Sequence, residues 1–435
     1  MGISARELAA ATPATRDRYV DLLRVASLGV VVLGHWLMAA VSGDGTVGNL
    51  LAVVPELQPL TWGLQVMPVF FFVGGFSHAL AYRSRPDYAA FLRARLQRLL
   101  RPAMVFIGVW GAAALLVPLL GRDGGLTGVA LRLVAQPLWF IGIYLAMVAF
   151  TPPLLRLHER HGWGAFAGLA GGAAAVDVLR FALDVPFVEF LNFAFVWLAV
   201  HQLGFLRADG RIGPPGLLAG TGLLGAAALV ALGPYPLSMV GMPGEKVSNM
   251  APPTLALLCH GLWLVGAVEL LKGPGARFAG RAGVWRKVVA ANGIAMTAFL
   301  WHLTAMLGVY GAVLALGLTP PDPATAAWWA QVPVRIAAAV VVTAVLVAAF
   351  RRFEQPVPAA PATGSGGPLA VLGITLALFG VLGLSMTGFA GLLEGHAATL
   401  IAVRVTAPAA IAMTLAGWLL VERAGRTARH RPGAV

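Results

Sequence analysis

The sequence predicts an all-α membrane protein, a polytopic bundle of about twelve transmembrane helices with both chain termini in the cytoplasm. Hydrophobic residues make up 59% of the 435-residue chain and charged residues only 11%, whereas about a quarter of an ordinary soluble protein is charged. So few charges cannot cover a surface that faces water, but they suffice for one that faces lipid. The apolar residues are gathered into long runs, and the basic residues are distributed unevenly between those runs.

Most of the apolar runs approach the roughly 20 residues that a helix needs to cross the hydrocarbon of a bilayer. Several contain Pro and many contain Gly, which membrane helices tolerate better than soluble helices do. We therefore expect every run to span the membrane. The predicted spans are 22–41, 60–82, 102–120, 138–155, 163–182, 188–206, 215–233, 253–271, 289–318, 326–350, 368–390 and 398–421.

The basic residues indicate the orientation of these helices. If residue 1 lies in the cytoplasm and every run spans, all but six of the 31 Lys and Arg residues fall in cytoplasmic segments. The six exceptions are Arg122, Arg132, Arg180, Lys246, Arg335 and Arg404. This asymmetry follows the positive-inside rule. The net charge of +13 is therefore first a topological signal, and no nucleic-acid partner is expected. The same charge would also suit an anionic substrate in the cytoplasm.

The loops between the runs are short, so no soluble domain is expected on either side of the membrane. The first run has no small-residue cleavage site after it and is interpreted as an uncleaved anchor. The clearest boundary is 351–367, which ends in a stretch of Ala, Pro, Gly and Ser. We predict a cytoplasmic tail, a membrane domain, a linker, a C-terminal pair of transmembrane helices and a basic cytoplasmic tail, at 1–15, 16–358, 359–367, 368–421 and 422–435.

Two ionisable residues in the first run, Arg24 and His35, are candidates for chemistry. They are eleven positions apart, so on an α-helix both project from one face, with about 16 Å between them along the axis. Arg24 would lie at the cytoplasmic boundary and His35 near mid-bilayer, where an ionisable group is costly and suggests a function. Histidine is also the commonest general base near neutral pH. The alternative is structural: a buried His35 bonded to a backbone carbonyl, and an Arg24 that only reaches the interface.

Six short motifs follow one another along residues 16–358. They are Asp21-Leu22-Leu23-Arg24 with His35, Val69-Phe70-Phe71-Phe72-Val73-Gly74-Gly75-Phe76, the basic segment from Phe91 to Pro102, Leu138-Trp139-Phe140, Phe299-Leu300-Trp301-His302, and Phe353-Glu354-Gln355-Pro356. In this order and on this topology, they resemble the motifs of the acyltransferase-3 family of integral membrane acyltransferases. One departure is Gly74, which stands where that family usually has Ser. The last two predicted helices lie beyond the resemblance.

The resemblance implies an O-acyltransferase of the cytoplasmic membrane. Members typically move an acyl group from cytoplasmic acyl-coenzyme A to a carbohydrate hydroxyl, often at or beyond the outer face. It implies catalytic roles for His35, Arg24 and His302, with His35 as general base or as transient acyl carrier. The expected partners are acyl-coenzyme A carrying an acetyl or other short acyl group, a carbohydrate or glycosylated small-molecule acceptor, and membrane lipid. No permanently bound cofactor and no metal are expected, because no cluster of His, Asp and Glu ligands stands out.

The basic segment 91–102 predicts an amphipathic helix. On a helical wheel Arg95, Arg98 and Arg101 fall in one stripe about 120° wide, which we call the arginine stripe, and four leucines fall on the other side. Such a helix would lie along the cytoplasmic interface with the three guanidiniums turned to water. The resemblance implies that they bind the phosphates of coenzyme A, which suit the planar fork of arginine. The alternative is that they bind anionic lipid headgroups.

The remaining motif residues are open to two interpretations each. His302, about thirteen residues into its predicted helix, should lie level with His35; it would orient His35, bind the acceptor, or only bond a neighbouring helix. The resemblance alone suggests that Trp139 lines the donor path, since tryptophans at helix ends usually anchor at the interface. Glu354 is predicted either to pair with an arginine on the cytoplasmic side or to be a plain helix-end charge.

Other polar features are predicted to be structural. Asp177 and Arg180 are three apart and can pair on one helix face. His201 and His260 have no motif around them and are interpreted as core histidines. The polar outer segment 244–249 is interpreted as a solvated loop.

Two functions of other classes also fit the composition: a secondary transporter, and a non-catalytic flippase for lipids or glycans. About twelve helices with both termini inside and a basic loop between the second and third helices fit a transporter as well. Against this, the two halves of the chain show no similarity to one another, and no long central cytoplasmic loop separates them. Consumption of a thioester by the purified protein would distinguish acyl transfer from both alternatives.

Overall fold

The computed structural model describes residues 5–42, 46–117, 119, 126–242, 244–355, 367–400 and 403–424. These residues form nineteen α-helices, with short 3₁₀ helices at Pro55–Leu60, Val188–Leu191 and Arg351–Phe353. The first ten helices are α1 Ala5–Ala10, α2 Arg18–Met38, α3 Leu50–Val53, α4 Thr61–Leu64, α5 Met67–Ser84, α6 Tyr88–Leu116, α7 Leu126–Leu133, α8 Pro137–His161, α9 Trp163–Phe181 and α10 Asn192–Ala208.

The other nine helices are α11 Pro215–Leu232, α12 Leu255–Leu270, α13 Lys272–Gly280, α14 Ala282–Asn292, α15 Ala295–Ala315, α16 Ala326–Phe350, α17 Gly367–Thr387, α18 Gly391–Glu394 and α19 Ala407–Ala424. Four short strands are β1 Ala39–Val41, β2 Val47–Asn49, β3 Ala397–Leu400 and β4 Val403–Thr406. The prediction of an all-α membrane bundle is confirmed.

Ten helical segments in the described part of the chain are long and apolar enough to cross a membrane. The pair α12 and α13, bent by 57° at its break, makes an eleventh if it is one span. The predicted count of twelve differs at the last run, 398–421. Its helix, α19, begins only at Ala407, because Ala397–Leu400 and Val403–Thr406 pair as the antiparallel strands β3 and β4.

The predicted domain boundaries are only partly covered by the described residues. The N-terminal tail contains the short helix α1, and Thr12 Oγ1 accepts a hydrogen bond from Trp285 Nε1 at 3.0 Å. Pro356 and the linker residues 359–366 lie outside the described residues. Residues 425–435 of the predicted C-terminal tail also lie outside the described residues. Residues 422–424, the first three of that tail, are the end of α19.

The chain divides into two units by its internal contacts. The first consists of Met1–Ala40, Gly48–Ala79 and Pro153–Ala295, and the second of Val41–Val47, Leu80–Pro152 and Met296–Val435. In the first unit, α5 and α10 cross with their backbones in contact. A Cβ atom on Gly75 would overlap the carbonyl oxygen of His201, and one on Gly204 that of Phe72. This close approach gives a physical reason for the second glycine of the motif 69–76.

The orientation of the bundle remains a prediction, and reporter fusions test it. We expect a cytoplasmic signal from a reporter inserted at 85–87, between α5 and α6, and from one fused after Arg429, because the Lys and Arg residues concentrate on that side. A reporter at 244–248 should give an outside signal. An outside signal from either of the first two positions would contradict the orientation or the number of crossings.

Candidate functional site

Helix α2 carries both Arg24 and His35. It begins after Asp17, whose Oδ1 accepts from the backbone N–H groups of Tyr19 and Val20 at 3.1 and 3.2 Å and so caps the helix. The other oxygen of Asp17 lies 2.9 Å from Arg207 Nη2. Because α2 is continuous from Arg18 to Met38, the predicted shared face and the axial separation of about 16 Å between Arg24 and His35 follow from helix geometry.

Arg24 belongs to a small charged cluster at the start of α2. Asp21 is 4% exposed and accepts two hydrogen bonds from Arg16, at 2.6 and 3.0 Å. The Arg24 Nη1 atom lies 3.5 Å from Asp21 Oδ1, and its Nη2 donates to Ser77 Oγ at 2.7 Å. One carboxylate cannot neutralise two guanidiniums, so the cluster keeps a positive charge, which suits an anionic ligand.

His35 is half-buried, and its ring is oriented by its own helix. Its Nδ1 atom lies 2.8 Å from the carbonyl oxygen of Val31, one turn earlier. A carbonyl oxygen only accepts, so Nδ1 carries the proton and the lone pair of the neutral ring is at Nε2. The structural alternative for His35 also predicts a carbonyl bond. The bond therefore does not distinguish the two interpretations of His35, but it identifies the tautomer, in which Nε2 is the basic atom.

The arginine stripe lies on α6 in the second unit. The helix is amphipathic there: Arg98 is exposed, Arg95 and Arg101 are half-buried, and Leu92, Leu96 and Leu100 are at most 1% exposed. The predicted interfacial helix is not a separate element, however. It continues through Pro102 into the membrane-spanning part of α6, and membrane helices tolerate such a proline.

His302 and Trp139 lie on two helices of the second unit, α15 and α8, whose motifs contact each other. The rings of Phe140 and Phe299 meet at 4.7 Å, edge to face. His302 is fully buried, and its Nδ1 bonds the Phe299 carbonyl, so its basic atom is again Nε2. Trp139 itself is half-buried. The structure therefore brings the motifs Leu138-Trp139-Phe140 and Phe299-Leu300-Trp301-His302 together.

The stripe helix also packs against α15. Trp301, next to His302, meets Phe106 of α6 edge to face at 5.1 Å. One turn further on, Trp110 Nε1 donates to Thr304 Oγ1 at 3.1 Å. These contacts tie the helix of the arginine stripe to the helix of His302.

Glu354 caps the beginning of α15 instead of pairing with an arginine. It accepts hydrogen bonds from the backbone N–H groups of Met296 and Thr297, at 2.9 and 2.8 Å, and from Thr297 Oγ1 at 2.6 Å. A carboxylate is favoured there by the positive end of the helix dipole. Burial nevertheless raises the pKa of Glu354, while these bonds and the nearby charge of Arg98 act against that shift. The helix-end interpretation of Glu354 fits these contacts.

A comparison with protein-family models matches the acyltransferase domain model, Acyl_transf_3, to residues 17–352. The chain belongs to the acyltransferase-3 family. The match includes five of the six motifs and ends just before the closing one, while helices α17 to α19 lie outside it. Neither the curated proteins nor the solved structures contain a match to the chain. The chain is thus a membrane acyltransferase with ten or more candidate membrane-spanning helices.

The polar groups predicted to be structural in this acyltransferase-3 chain do make internal bonds. Asp177 accepts from Asn192 Nδ2, Tyr235 Oη and the Leu255 N–H, at 2.8, 3.0 and 2.7 Å. These partners, not the predicted ion pair with Arg180, satisfy its carboxylate. His260 is fully buried and bonds the Trp62 carbonyl at 2.9 Å.

Sequence reasoning missed two groups, one beside the candidate residue Arg24 and one beside the core histidine His201. Ser77, the partner of Arg24, follows directly after the motif 69–76 and shows no pattern of its own. His78 follows it, is fully buried, and lies with its ring 5.2 Å from that of His201. His201 is also fully buried. The available signal for His78 was its position two residues after the motif 69–76.

Proposed function

We propose that this acyltransferase moves an acetyl or other short acyl group from cytoplasmic acyl-coenzyme A to a hydroxyl of a carbohydrate or glycosylated acceptor. One observation carries the proposal. The continuous helix α2 holds Arg24, in a cluster that keeps a positive charge, and about 16 Å further along it holds His35, whose basic atom is Nε2. Such an arrangement can hold the anionic part of a donor at one point and activate a nucleophile at another.

The reaction needs one base and one leaving group. His35 Nε2 takes the proton of the acceptor hydroxyl while its oxygen attacks the thioester carbonyl. The new C–O bond forms, the C–S bond breaks, and the sulfur leaves as the coenzyme A thiolate, which then takes up a proton. In the covalent variant, Nε2 attacks the thioester carbonyl and expels the coenzyme A thiolate. The acceptor hydroxyl then attacks the acylated ring, the bond from Nε2 to the acyl carbon breaks as the ester forms, and the hydroxyl proton passes to the thiolate. His302 would bind the acceptor, and Trp139 would line the donor path.

The donor's phosphates are assigned to the arginine stripe. Guanidiniums bind phosphate oxygens through paired hydrogen bonds. Arg98 is exposed and Arg95 and Arg101 are half-buried, so their donors can reach a ligand in water. Burial of the leucines on the other side of α6 keeps the stripe turned outward.

Replacing Arg95 and Arg98 together by Ala should weaken acyl-coenzyme A binding about tenfold or more. A charged hydrogen bond contributes about 1.5–3 kcal/mol, and exposure of the stripe to water reduces that contribution. The affinity of the wild-type protein should also fall as salt rises. Equilibrium binding to detergent-purified protein measures both effects. The matched control is Arg156→Ala with Arg160→Ala, which removes two exposed arginines from the end of α8. Unchanged donor affinity in the Arg95/Arg98 variant would favour lipid binding by the stripe.

Mass spectrometry of cell-envelope glycans and secreted metabolites tests the function in cells. Cells with the protein should contain an acyl ester that is missing from cells without it, and the wild-type chain should restore this ester. The His35→Gln chain, expressed at the same level, should not restore it. Identical acylation with and without the protein would count against a carbohydrate acceptor.

A further inference from the structure

The last helices of the chain form a tightly packed pair outside the family match. A Cβ atom on Gly380 of α17 would overlap Thr414 Oγ1, and one on Gly417 of α19 would overlap the backbone nitrogen of Ala377. Backbones in contact through small residues are a stable form of helix association in membranes. Because α17 and α19 hold each other in this way, a side chain on α19 has a fixed position.

Helix α19 also packs on α6, the helix of the arginine stripe. Near its end, Glu422 Oε1 accepts a hydrogen bond from Gln97 Nε2 at 2.7 Å. Its other oxygen lies 3.6 Å from Arg93 Nη2. The two charged side chains are only 10% and 16% exposed, so their attraction is weakly screened by solvent. Glu422 thus holds two residues of α6 that do not belong to the stripe.

The two residues that Glu422 contacts lie on one face of α6. Arg93 and Gln97 are four positions apart and share one face of the helix. The middle of the arginine stripe lies about 120° around the helix from that face, at about 100° per residue. A rotation of α6 by about 20° would move a point 5–6 Å from the axis by about 2 Å. Such a shift exceeds the tolerance of a phosphate hydrogen bond.

We propose that Glu422 is a positioning residue for donor binding, and that the C-terminal helix pair braces the arginine stripe. The buried leucines turn the stripe outward, and Glu422, through Arg93 and Gln97, limits the remaining rotation of α6 and so sets the angle at which the stripe meets the donor. This gives a role to the two helices beyond the family match. The inference rests on the proposed function, since it requires the stripe to bind acyl-coenzyme A.

Glu422→Ala should raise the KM for acyl-coenzyme A about five- to tenfold, the effect of one coupled contact pair. The kcat at saturating donor and the KM for the acceptor should stay within about twofold, because no group at the reacting atoms has changed. Exchanging the pair, Arg93→Glu with Glu422→Arg, should restore much of the donor affinity. Glu422→Gln keeps the size of the side chain and an acceptor for Gln97, so it replaces the Ala variant in the experiment if that variant fails to fold. Its KM for acyl-coenzyme A should rise less than that of Glu422→Ala.

The matched control is Glu394→Ala. Glu394 also lies in the C-terminal segment, but it pairs with Arg132 at 3.4 Å and with His396 at 2.7 Å, not with the stripe helix. Its loss should leave the donor KM unchanged.

Binding of coenzyme A alone separates the two proposals. A wild-type protein that does not bind it contradicts the proposed donor site, and this inference with it. If the wild-type protein and the Ala and Gln variants of Glu422 all bind coenzyme A equally well, the positioning role of Glu422 is contradicted and the proposed donor site is not. If kcat and thermal stability fall together in the Glu422 variants and the exchanged pair does not restore them, Glu422 is only a structural contact. That result would also contradict its positioning role.

Discussion

Replacing His35 by glutamine should nearly abolish acyl transfer while the protein still inserts into the membrane and is recovered at normal yield. Glutamine can keep a hydrogen bond to the Val31 carbonyl, but it has no basic atom where His35 has Nε2. Losing a general base typically costs about 10²- to 10⁴-fold in rate, and losing a covalent carrier costs at least as much. His35→Ala should be no more active than His35→Gln. The rate of thioester cleavage by detergent-purified protein is the measurement.

The matched control for this change is His260→Gln. His260 is likewise a helix histidine whose ring bonds a backbone carbonyl, that of Trp62, and it has no proposed chemical role. The control should retain turnover if it folds. Turnover near the wild-type rate in His35→Gln would make His35 a structural histidine and contradict the mechanism.

Arg24 is the second position where a large effect is expected. Arg24→Ala should reduce kcat/KM for acyl-coenzyme A about 10- to 100-fold, since one charged hydrogen bond contributes about 1.5–3 kcal/mol. Arg24→Lys should recover little of this. The Arg24 guanidinium contacts Ser77 and Asp21 through separate nitrogens, and a lysine has a single nitrogen to serve both and the donor.

Ser77→Ala and Arg156→Ala are the controls for Arg24. The first removes the hydroxyl that holds Arg24 but keeps its charge, so its effect should be smaller. The second removes one exposed charge elsewhere and should have no effect. Full recovery of activity in Arg24→Lys would show that charge alone matters at this position.

The fold was largely predictable because its main determinant, apolar length, is local. The errors lie at helix ends, because capping side chains and strand pairing, not apolar length, determine where a helix begins or ends. Helix α2 begins four residues before its apolar run, because Asp17 caps it. The amphipathic segment 91–102 and the apolar run after it form one helix, since no polar break separates them. The start of α19 was predicted too early because strands β3 and β4 also contain mostly apolar residues.

The candidate site was predictable only along single helices. The common face of Arg24 and His35, and the arginine stripe, follow from the helical repeat. Their partners do not: Ser77 is 53 residues from Arg24, and Glu422 is 325 residues from Gln97. A lone serine or glutamate far along the chain has no local pattern that links it to a partner, because the link is made by packing. The capping of α15 by Glu354 is of the same kind.

Consumption of acyl-coenzyme A by the purified wild-type protein tests the central claim most directly. The protein, reconstituted in lipid vesicles with a labelled acyl donor and a glycan extract as acceptor, should release free coenzyme A and transfer the label to the extract. Release should depend on His35 and should fall at high salt. If the wild-type protein leaves the thioester intact yet moves a lipid, glycan or solute across the vesicle membrane, it is a transporter or flippase, and the proposed acyl transfer is wrong.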